Sequence, residues 1–181
     1  QSVTNGTLTI TPAPLSLTVA NASRVYADPN PAFTGSLVGI RNNDALIAAF
    51  STTATQTSHV GSYPINGSVS GAQFGNYTLT TTAGTLSITP APLVVTLVGG
   101  FYTFGSNPCV VTYSGFKLSD TPASLSGMLS CTLNGAPLPI PAPSGTYVLT
   151  PGGLSSIDYA ISFVAGTVRV GYNTPPSFLT P

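Results

Sequence analysis

The sequence predicts an all-β protein of two tandem modules, each a small β-sandwich, joined by an extended proline-rich linker. Short runs in which apolar residues alternate with Ser and Thr are typical of strands with one buried face. Gly, Pro, Asn or Asp interrupts these runs about every 8–12 residues, a spacing that favours sandwiches of short strands. The same landmarks also occur twice along the chain, which indicates two copies of one module.

The strand prediction depends on four runs with a period of two. Their inward-facing positions are Leu8 and Ile10 in GTLTIT, Leu15, Leu17 and Val19 in LSLTV, Tyr77 and Leu79 in YTLTT, and Tyr159, Ile161 and Phe163 in DYAISF. Residues 43–51, NDALIAAFS, have some helical character, but we expect a turn or an irregular strand there. Several short antiparallel strands in about 80 residues predict an immunoglobulin-like sandwich in the broad sense. The alternative is a β-grasp-like sheet with one short helix.

The repeat begins with GTLTITPAPL at residue 6 and GTLSITPAPL at residue 84, so its period is 84 minus 6, or 78 residues. A weaker third copy, GTVRVGYNTPP, begins at Gly166. Four further pairs of landmarks keep the same order: RVYADPNPAF with GFYTFGSNPCV, GIRNND with GFKLSD, HVGSYPI with PSGTYVL, and NYTLTTTAGTLSI with DYAISFVAGTVRV. Two homologous modules therefore follow each other in the chain.

These landmarks resemble the MBG-type repeat. The resemblance covers nearly the whole chain, and GTLSITPAPL is its most specific part. MBG-type modules recur in tandem in large bacterial surface and secreted proteins, many of them adhesin-like. The resemblance therefore implies an extracellular location and a repeat architecture rather than a particular activity. The second module departs from the pattern at its end, GTVRVGYNTPP, and it carries a cysteine pair and a Pro-rich insert.

The TPAP segment at residues 89–92 is the predicted junction between the modules. Proline fixes φ and removes a backbone N–H, so strand pairing should stop there while the chain stays extended. The predicted organisation is a terminal strand and junction (1–13), a first module (14–92), a second module (93–171) and a tail (172–181). Because the linker is short and stiff, we expect the modules to hold a defined mutual angle.

Residues 6–12 have the sequence of a closing strand but precede the first complete module. A single strand cannot bury Leu8 and Ile10 by itself. Three outcomes are open: the segment is a remnant of a longer tandem array, it pairs with an exposed sheet edge of a neighbouring copy, or it folds back onto the first module. The first two place the chain in an extended assembly, with Leu8 and Ile10 as the inter-subunit strand.

The charge content excludes two classes of partner. Only 4% of the residues are charged, and their formal charges sum to zero. Nucleic acids and anionic membranes both attract clustered Lys and Arg, so neither is an expected partner. No apolar run reaches the roughly 20 residues of a spanning helix, and no membrane insertion is expected. A neutral surface has little self-repulsion, which favours lateral association.

Cys109 and Cys131 predict a disulfide, because their spacing fits no zinc-binding pattern. Two unrelated buried thiols are the alternative. The bridge would close a loop of about twenty residues and stabilise the fold by roughly 3 kcal/mol. It would also indicate an oxidising, extracytoplasmic compartment.

Catalytic and metal-binding residues are not expected. His59 is the one histidine, and a general base needs a nucleophile or an orienting carboxylate that the sequence does not place beside it. Asp28, Asn30 and Asp44 are the best calcium candidates, but isolated Asp residues at turns more simply bond their own backbone. The same reading applies to Asp120, which corresponds to Asp44, and to Asp158, which replaces Asn76. The sequence therefore predicts no cofactor, no metal and no enzyme.

Tyrosines recur in both modules, which indicates roles in core packing with hydroxyls bonded to the backbone: Tyr26 and Tyr102, Tyr63 and Tyr147, Tyr77 and Tyr159. The insert NGAPLPIPAPS at residues 134–144 is the best candidate for recognition specific to one module. Together these observations predict a secreted or cell-surface structural protein, a stalk or fibre subunit whose partners are copies of itself or neighbouring modules. The alternative is an adhesin domain that binds a glycan or a protein.

Overall fold

The computed structural model describes residues 5–139 and 141–172, and the chain divides into two compact units, unit 1 (residues 1–89) and unit 2 (residues 90–181). Both units are built from β-sheets, which confirms the predicted all-β class. The described residues contain two short 3₁₀ turns, Phe74–Asn76 and Pro122–Ser124, but no α-helix, so the β-grasp alternative with its helix is not seen. None of the described helical segments could cross a membrane.

Unit 1 contains a three-stranded and a four-stranded sheet. Its strands are β1 (Ala13–Val19), β2 (Ala22–Val25), β3 (Gly35–Val38), β4 (Ile47–Thr52), β5 (Gly61–Ser70), β6 (Tyr77–Thr82) and β7 (Gly84–Thr89). The sheet orders are β3-β1-β6 and β2-β7-β5-β4. The ambiguous stretch at residues 43–51 forms a turn followed by β4, as predicted.

Unit 2 repeats this plan with one additional short strand. Its strands are β8 (Ala91–Leu97), β9 (Gly100–Thr103), β10 (Val111–Ser114), β11 (Ser126–Leu133), β12 (Ala136–Pro137), β13 (Gly145–Ser155), β14 (Tyr159–Val164) and β15 (Gly166–Gly171). The sheet orders are β10-β8-β14 and β12-β11-β13-β15-β9. The extra strand β12 lies in the Pro-rich insert that unit 1 lacks.

The core of each unit lies between its two sheets, because alternate residues of each strand point inward. In unit 1, Leu15 and Leu17 of β1 are buried opposite Ile65 of β5. The two strands approach closely at Gly67, where an added Cβ would lie 2.6 Å from Cδ2 of Leu17. The corresponding core of unit 2 is formed by Leu93, Val95, Leu97, Leu149, Val168 and Val170. Each fully buried aliphatic side chain stabilises its unit by roughly 1.5–3 kcal/mol.

The sheets are mixed rather than purely antiparallel, and here the sequence-based expectation is wrong. β1 pairs with β6 and β2 pairs with β7, both in parallel. Ala13 pairs with Tyr77 and Ala22 with Leu86, so residue n pairs with residue n + 64 in both sheets. The first two strands, β1 and β2, therefore run beside the last two, β6 and β7. Both pairs pass from the three-stranded sheet to the four-stranded sheet at the same level. Local alternation does not encode the direction of such a distant partner.

Unit 2 has the same arrangement: β8 pairs with β14 and β9 with β15 in parallel, with Ala91 opposite Tyr159 and Gly100 opposite Val168. The junction is shorter than the sequence suggested, because only Pro90 separates β7 from β8. Strand pairing continues through Pro92. That residue can lie in β8 because the partner strand β10 is in register with β8 only from Val94 onward, which leaves that side of Pro92 without a ladder.

Candidate functional site

Residues 5–12 belong to no strand, although their sequence predicts one. Leu8 and Ile10 are each 86% exposed, whereas their counterparts in β7, Leu86 and Ile88, are buried. Of the three outcomes left open by the sequence, folding back onto the first module as an extra edge strand is therefore not observed. Ile10 lines a shallow pocket with Arg41 and Tyr77 of unit 1, but the extended Thr-Pro-Ala-Pro run that follows does not turn the segment into a paired edge strand. Whether Leu8 and Ile10 form an inter-subunit strand stays a prediction.

The glycine of the repeated GTL sequence distinguishes the two copies. A Cβ added to Gly84 would collide with the carbonyl oxygen of Ala20, where the chain passes from one sheet to the other. A Cβ added to Gly6 would have no atom within 4 Å. The glycine requirement is therefore met in β7, whereas Gly6 has no close neighbour and the Leu8 and Ile10 side chains stay largely exposed.

A hydrogen-bonded corner in unit 1 brings together three of the sequence landmarks. The hydroxyl of Tyr77 accepts a hydrogen bond from the backbone N–H of Arg41 (2.9 Å) and donates one to Oδ2 of Asp44 (2.7 Å). Gly39, with φ of +107°, passes so close to β1 that an added Cβ would lie 2.5 Å from the carbonyl oxygen of Pro14. The hydrogen bond to Asp44 raises the pKa of Tyr77 above its ordinary value of 10.0, because an ionised phenol could not donate it.

Unit 2 has the same corner with different residues around it. The hydroxyl of Tyr159 accepts a hydrogen bond from the N–H of Lys117 (2.9 Å) and donates one to Oδ2 of Asp120 (2.6 Å). Gly115 has φ of +116°, and an added Cβ would lie 2.5 Å from the carbonyl oxygen of Pro92. The spacing of glycine, aspartate and tyrosine in both halves therefore reflects one structural requirement, the anchoring of the loop before β4 or β11.

A family model described as "MBG domain (YGX type)" matches residues 15–87 and 93–169. The chain belongs to this family. The two matches fall within units 1 and 2, and together they account for the internal repeat recognised in the sequence. MBG domains occur in extracellular proteins. No curated protein matches the chain.

A second recurrent tyrosine begins a long strand in each MBG unit. The hydroxyl of Tyr63 donates to the carbonyl oxygen of His59 (3.0 Å), and that of Tyr147 donates to the carbonyl oxygen of Pro143 (2.8 Å). Each bond returns to a residue four positions upstream, as in the tyrosine corner of immunoglobulin-like sandwiches. The predicted bond from each hydroxyl to the backbone is confirmed, and Tyr147 packs against the core of unit 2 as predicted.

The predicted equivalence of Tyr26 and Tyr102 is wrong. The N–H of Tyr26 donates to the carbonyl oxygen of Thr89, and the N–H of Phe104 donates to that of Gly171, so Phe104 is the structural counterpart of Tyr26. Tyr102 takes the place of Arg24: it pairs with Val170 in β15 as Arg24 pairs with Ile88 in β7. The two sequences slip by two residues here because the loop that follows is shorter in unit 2.

The loop after β2 in unit 1 is held by a polar network around Arg24, which is 7% exposed. Its Nε donates to Oδ1 of Asn30 (2.8 Å), and Nη2 donates to the carbonyl oxygen of Thr55 (2.6 Å). The amide of Asn30 donates in turn to the carbonyl oxygen of Ala54 (2.7 Å). Sequence reasoning overlooked Arg24, although a charged residue at an inward position of a strand is a usable signal.

Cys109 and Cys131 form a disulfide, as predicted. It joins the loop after β9 to β11 and packs in a core cluster with Leu97, Leu149 and Val168. A cavity of about 210 Å³ lies beside the bridge, and Pro137 and Leu138 of the Pro-rich insert are among its lining residues. The predicted recognition insert thus borders an apolar cavity.

The residues weighed for catalysis and calcium binding are not brought together. His59 is exposed, and Asp28 lies in the turn after β2. Asn30 belongs to the Arg24 network and Asp44 to the Tyr77 corner. Among residues 5–139 and 141–172 no group of three or more His, Cys, Asp or Glu side chains is arranged to hold a metal ion.

Proposed function

We propose that the chain is a non-enzymatic segment of an extracellular stalk or fibre, in which MBG modules joined end to end carry tension. Its partners are other MBG modules, in the same chain or in a neighbouring copy. The observation that carries the proposal is the parallel, in-register pairing of the first and last strands of each unit. An extracellular location agrees with the disulfide, which persists in oxidising compartments.

Parallel terminal strands resist tension because of the way force enters them. In unit 1 the chain enters β1 at Ala13 and leaves β7 at Thr89. Opposite pulls at these points slide β1 and β2 along β6 and β7, so that the hydrogen bonds between them share the load. In a hairpin pulled open at one end the bonds would instead break one after another. Shear loading of this kind suits a module whose work is mechanical.

The test is single-molecule force spectroscopy of the full chain, pulled from its two ends. The Cys109–Cys131 bridge, with a sequence separation of 22, shortens the extension released by unit 2 by about 75 Å and so identifies its unfolding step. The variant Ala22→Pro should lower the unfolding force of unit 1, because Pro removes an N–H directed at β7. The N–H of Tyr26 bonds the carbonyl oxygen of Thr89 in β7, and N–H directions alternate along a strand. The N–H of Ala22, four residues earlier, therefore also points toward β7.

Ser23→Pro is the matched control. Its N–H points away from β7, because successive residues of a strand face opposite sides, and it should leave the unfolding force nearly unchanged. The proposal is contradicted if Ala22→Pro and Ser23→Pro unfold at the same force. It is also contradicted if wild-type unit 1 unfolds at a force no higher than that of a module whose pulled ends belong to a hairpin.

Residues 6–12 fit the same function as the closing strand of an MBG module that precedes unit 1. They carry the glycine and the two apolar positions that β7 uses, and those side chains are exposed. Paired in such a module, Leu8 and Ile10 would be buried as Leu86 and Ile88 are, and Gly6 would lie at a crossing between sheets.

A chain in which a second copy of residues 14–83 is placed directly before Gly6 tests this pairing. Amide exchange of residues 6–12 should slow to the rates of β7, and Leu8→Asp should then destabilise the added module about as much as Leu86→Asp destabilises unit 1. Thr9→Asp, at an outward position, is the control. Continued fast exchange of residues 6–12 in the extended chain would contradict the pairing.

Ligand binding by an adhesin-like domain is the second candidate, and the cavity beside Pro137 and Leu138 favours it. An apolar side chain of a partner protein would fill this cavity. Binding of a surface partner that is lost in Leu138→Asp, but kept in Ser130→Ala at another lining position, would support this function over a purely mechanical one.

A further inference from the structure

Unit 2 exposes aromatic side chains at the end where β9 and β15 lie side by side. Phe101 is 55% exposed, Phe104 40% and Tyr172 64%. The rings of Phe104 and Tyr172 stack, with centroids 4.7 Å apart and an interplanar angle of 23°. A contiguous cluster of exposed aromatic side chains of this kind is typical of an interaction site.

The ring of Phe101 lies across the neighbouring strand. Its Cε2 and Cζ atoms are 3.0 and 3.3 Å from the position that a Cβ of Gly171 would occupy. The missing side chain of Gly171 therefore leaves room for the ring to rest on β15 with its other face toward solvent. A flat aromatic face held against a sheet needs no reorganisation before a ligand binds.

Arg169 lies next to this ring. It pairs in register with Phe101 across β15 and β9, so both side chains point outward, and Thr146 pairs with Arg169 from the other side. Among the described residues Arg169 has no ion-pair partner. The surface thus combines an aromatic face, a guanidinium group and threonine hydroxyls.

Unit 1 lacks this surface at the equivalent place. Ser23 and Ser87 form the pair that corresponds to Phe101 and Arg169. Tyr26, the counterpart of Phe104, is only 5% exposed. The combination is therefore not required by the fold, since unit 1 forms the same two strands without it.

We propose that unit 2 binds acidic glycans on this surface, through a sugar ring that carries a carboxylate. The C–H face of the pyranose would stack on Phe101, and the carboxylate would bond the guanidinium of Arg169. The stacked pair of Phe104 and Tyr172 would extend the platform to a neighbouring sugar. Charge complementarity selects an acidic glycan over a neutral one, and the proposal stands independently of the mechanical role.

The test uses the full chain and two hexasaccharides matched in length. One alternates glucuronic acid with N-acetylglucosamine, and the other contains N-acetylglucosamine alone. Isothermal titration calorimetry or NMR titration should give tighter binding of the acidic sugar, weakened by added salt. Arg169→Gln should reduce the affinity for the acidic sugar about tenfold or more and leave the neutral sugar unaffected, because only the charge-assisted bond is lost.

Two further variants distinguish stacking on the aromatic surface from a nonspecific effect of positive charge in unit 2. Phe101→Ala should weaken binding of both sugars because it removes the stacking ring, while the Cys109–Cys131 disulfide and the Tyr159–Asp120 hydrogen bond remain in place. Lys117→Gln removes the other cation of unit 2 and should change nothing. The proposal is overturned by equal affinity for the two sugars, by absence of acidic-sugar binding to the folded wild type, or by loss in Lys117→Gln equal to that in Arg169→Gln.

Discussion

Units 1 and 2 hold the same loop by different chemistry. In unit 1 the loop after β2 is tied down by Arg24, whose guanidinium bonds Asn30 and the carbonyl oxygen of Thr55. In unit 2 the loop after β9 is tied by the covalent bond between Cys109 and Cys131. At the opposite end both units keep an identical corner of glycine, aspartate and tyrosine.

The difference teaches which positions the MBG fold dictates. The corner recurs because the loop before β4 or β11 crosses β1 or β8 at close range, and in both units the tyrosine hydroxyl accepts a hydrogen bond from a backbone N–H of that loop. The loop after β2 is anchored by a hydrogen-bond network and the loop after β9 by a disulfide, so the fold accepts either kind of anchor. Only the disulfide makes the stability of its unit depend on the redox compartment.

The largest expected effect comes from removing the disulfide. Cys109→Ala with Cys131→Ala should lower the free energy of unfolding of unit 2 by about 3 kcal/mol, since the open chain gains conformational entropy when it unfolds. Urea unfolding followed by amide exchange in each unit measures this. The comparison fails if unit 1 loses as much stability as unit 2.

Arg24→Met should destabilise unit 1 by roughly 2 kcal/mol, because the carbonyl oxygen of Thr55 and Oδ1 of Asn30 lose a charged donor. Methionine keeps the length of the side chain, so the loss reports hydrogen bonding more than packing. The same unfolding experiment applies, with added reductant as a second condition. Reductant should weaken unit 2 and leave the effect of Arg24→Met unaltered.

Tyr77→Phe and Tyr159→Phe should each cost about 1–2 kcal/mol in their own unit, because each removes a hydrogen bond to a carboxylate. Thermal unfolding of the two variants checks the prediction. Clearly unequal losses would show that the two corners are not equivalent despite their shared geometry.

The smallest expected effect is on the titration of Tyr77. Its pKa is raised in the folded state by the bond to Asp44. Because this pKa is raised, the stabilisation of unit 1 by the hydrogen bond from Tyr77 to Asp44 is fully present below the unfolded pKa of about 10. It is lost as pH rises through the pKa of Tyr77 in the folded state. Spectrophotometric titration should detect a tyrosine that ionises late in the wild type, and Asp44→Asn should bring that pKa back toward its ordinary value.

Much of the fold could be predicted from the sequence, because strand alternation and the repeat are local signals. LSLTV and DYAISF form strands with the predicted inward residues, and Cys109 pairs with Cys131. The parallel direction of β1 and β6 could not be predicted, since it arises from contacts 64 residues apart. The equivalence of Tyr102 and Arg24 could not be predicted either. A sequence alignment places Tyr102 opposite Tyr26 because both are tyrosines, whereas the backbone register differs by two residues at this point.

The candidate surfaces were less accessible to sequence reasoning. Leu8 and Ile10 could be identified because the GTL motif occurs twice in the chain. Comparison with the second copy in β7 shows that residues 6–12 have the sequence of a closing strand. Phe101 and Arg169 are 68 residues apart and come together only because β9 and β15 pair in parallel. A pattern with a period of two identifies one face of a strand, but it does not reveal which distant side chain shares that face.

The fixed pairing of the terminal strands separates a constant frame from variable connections. Loops and the insert with β12 differ in length between the units, yet the first and last strands keep one uninterrupted register in each. A foreign peptide inserted into the connection between β11 and β13 would accordingly lie at the surface of unit 2. The pairing of the terminal strands, through which one module connects to the next, would not change.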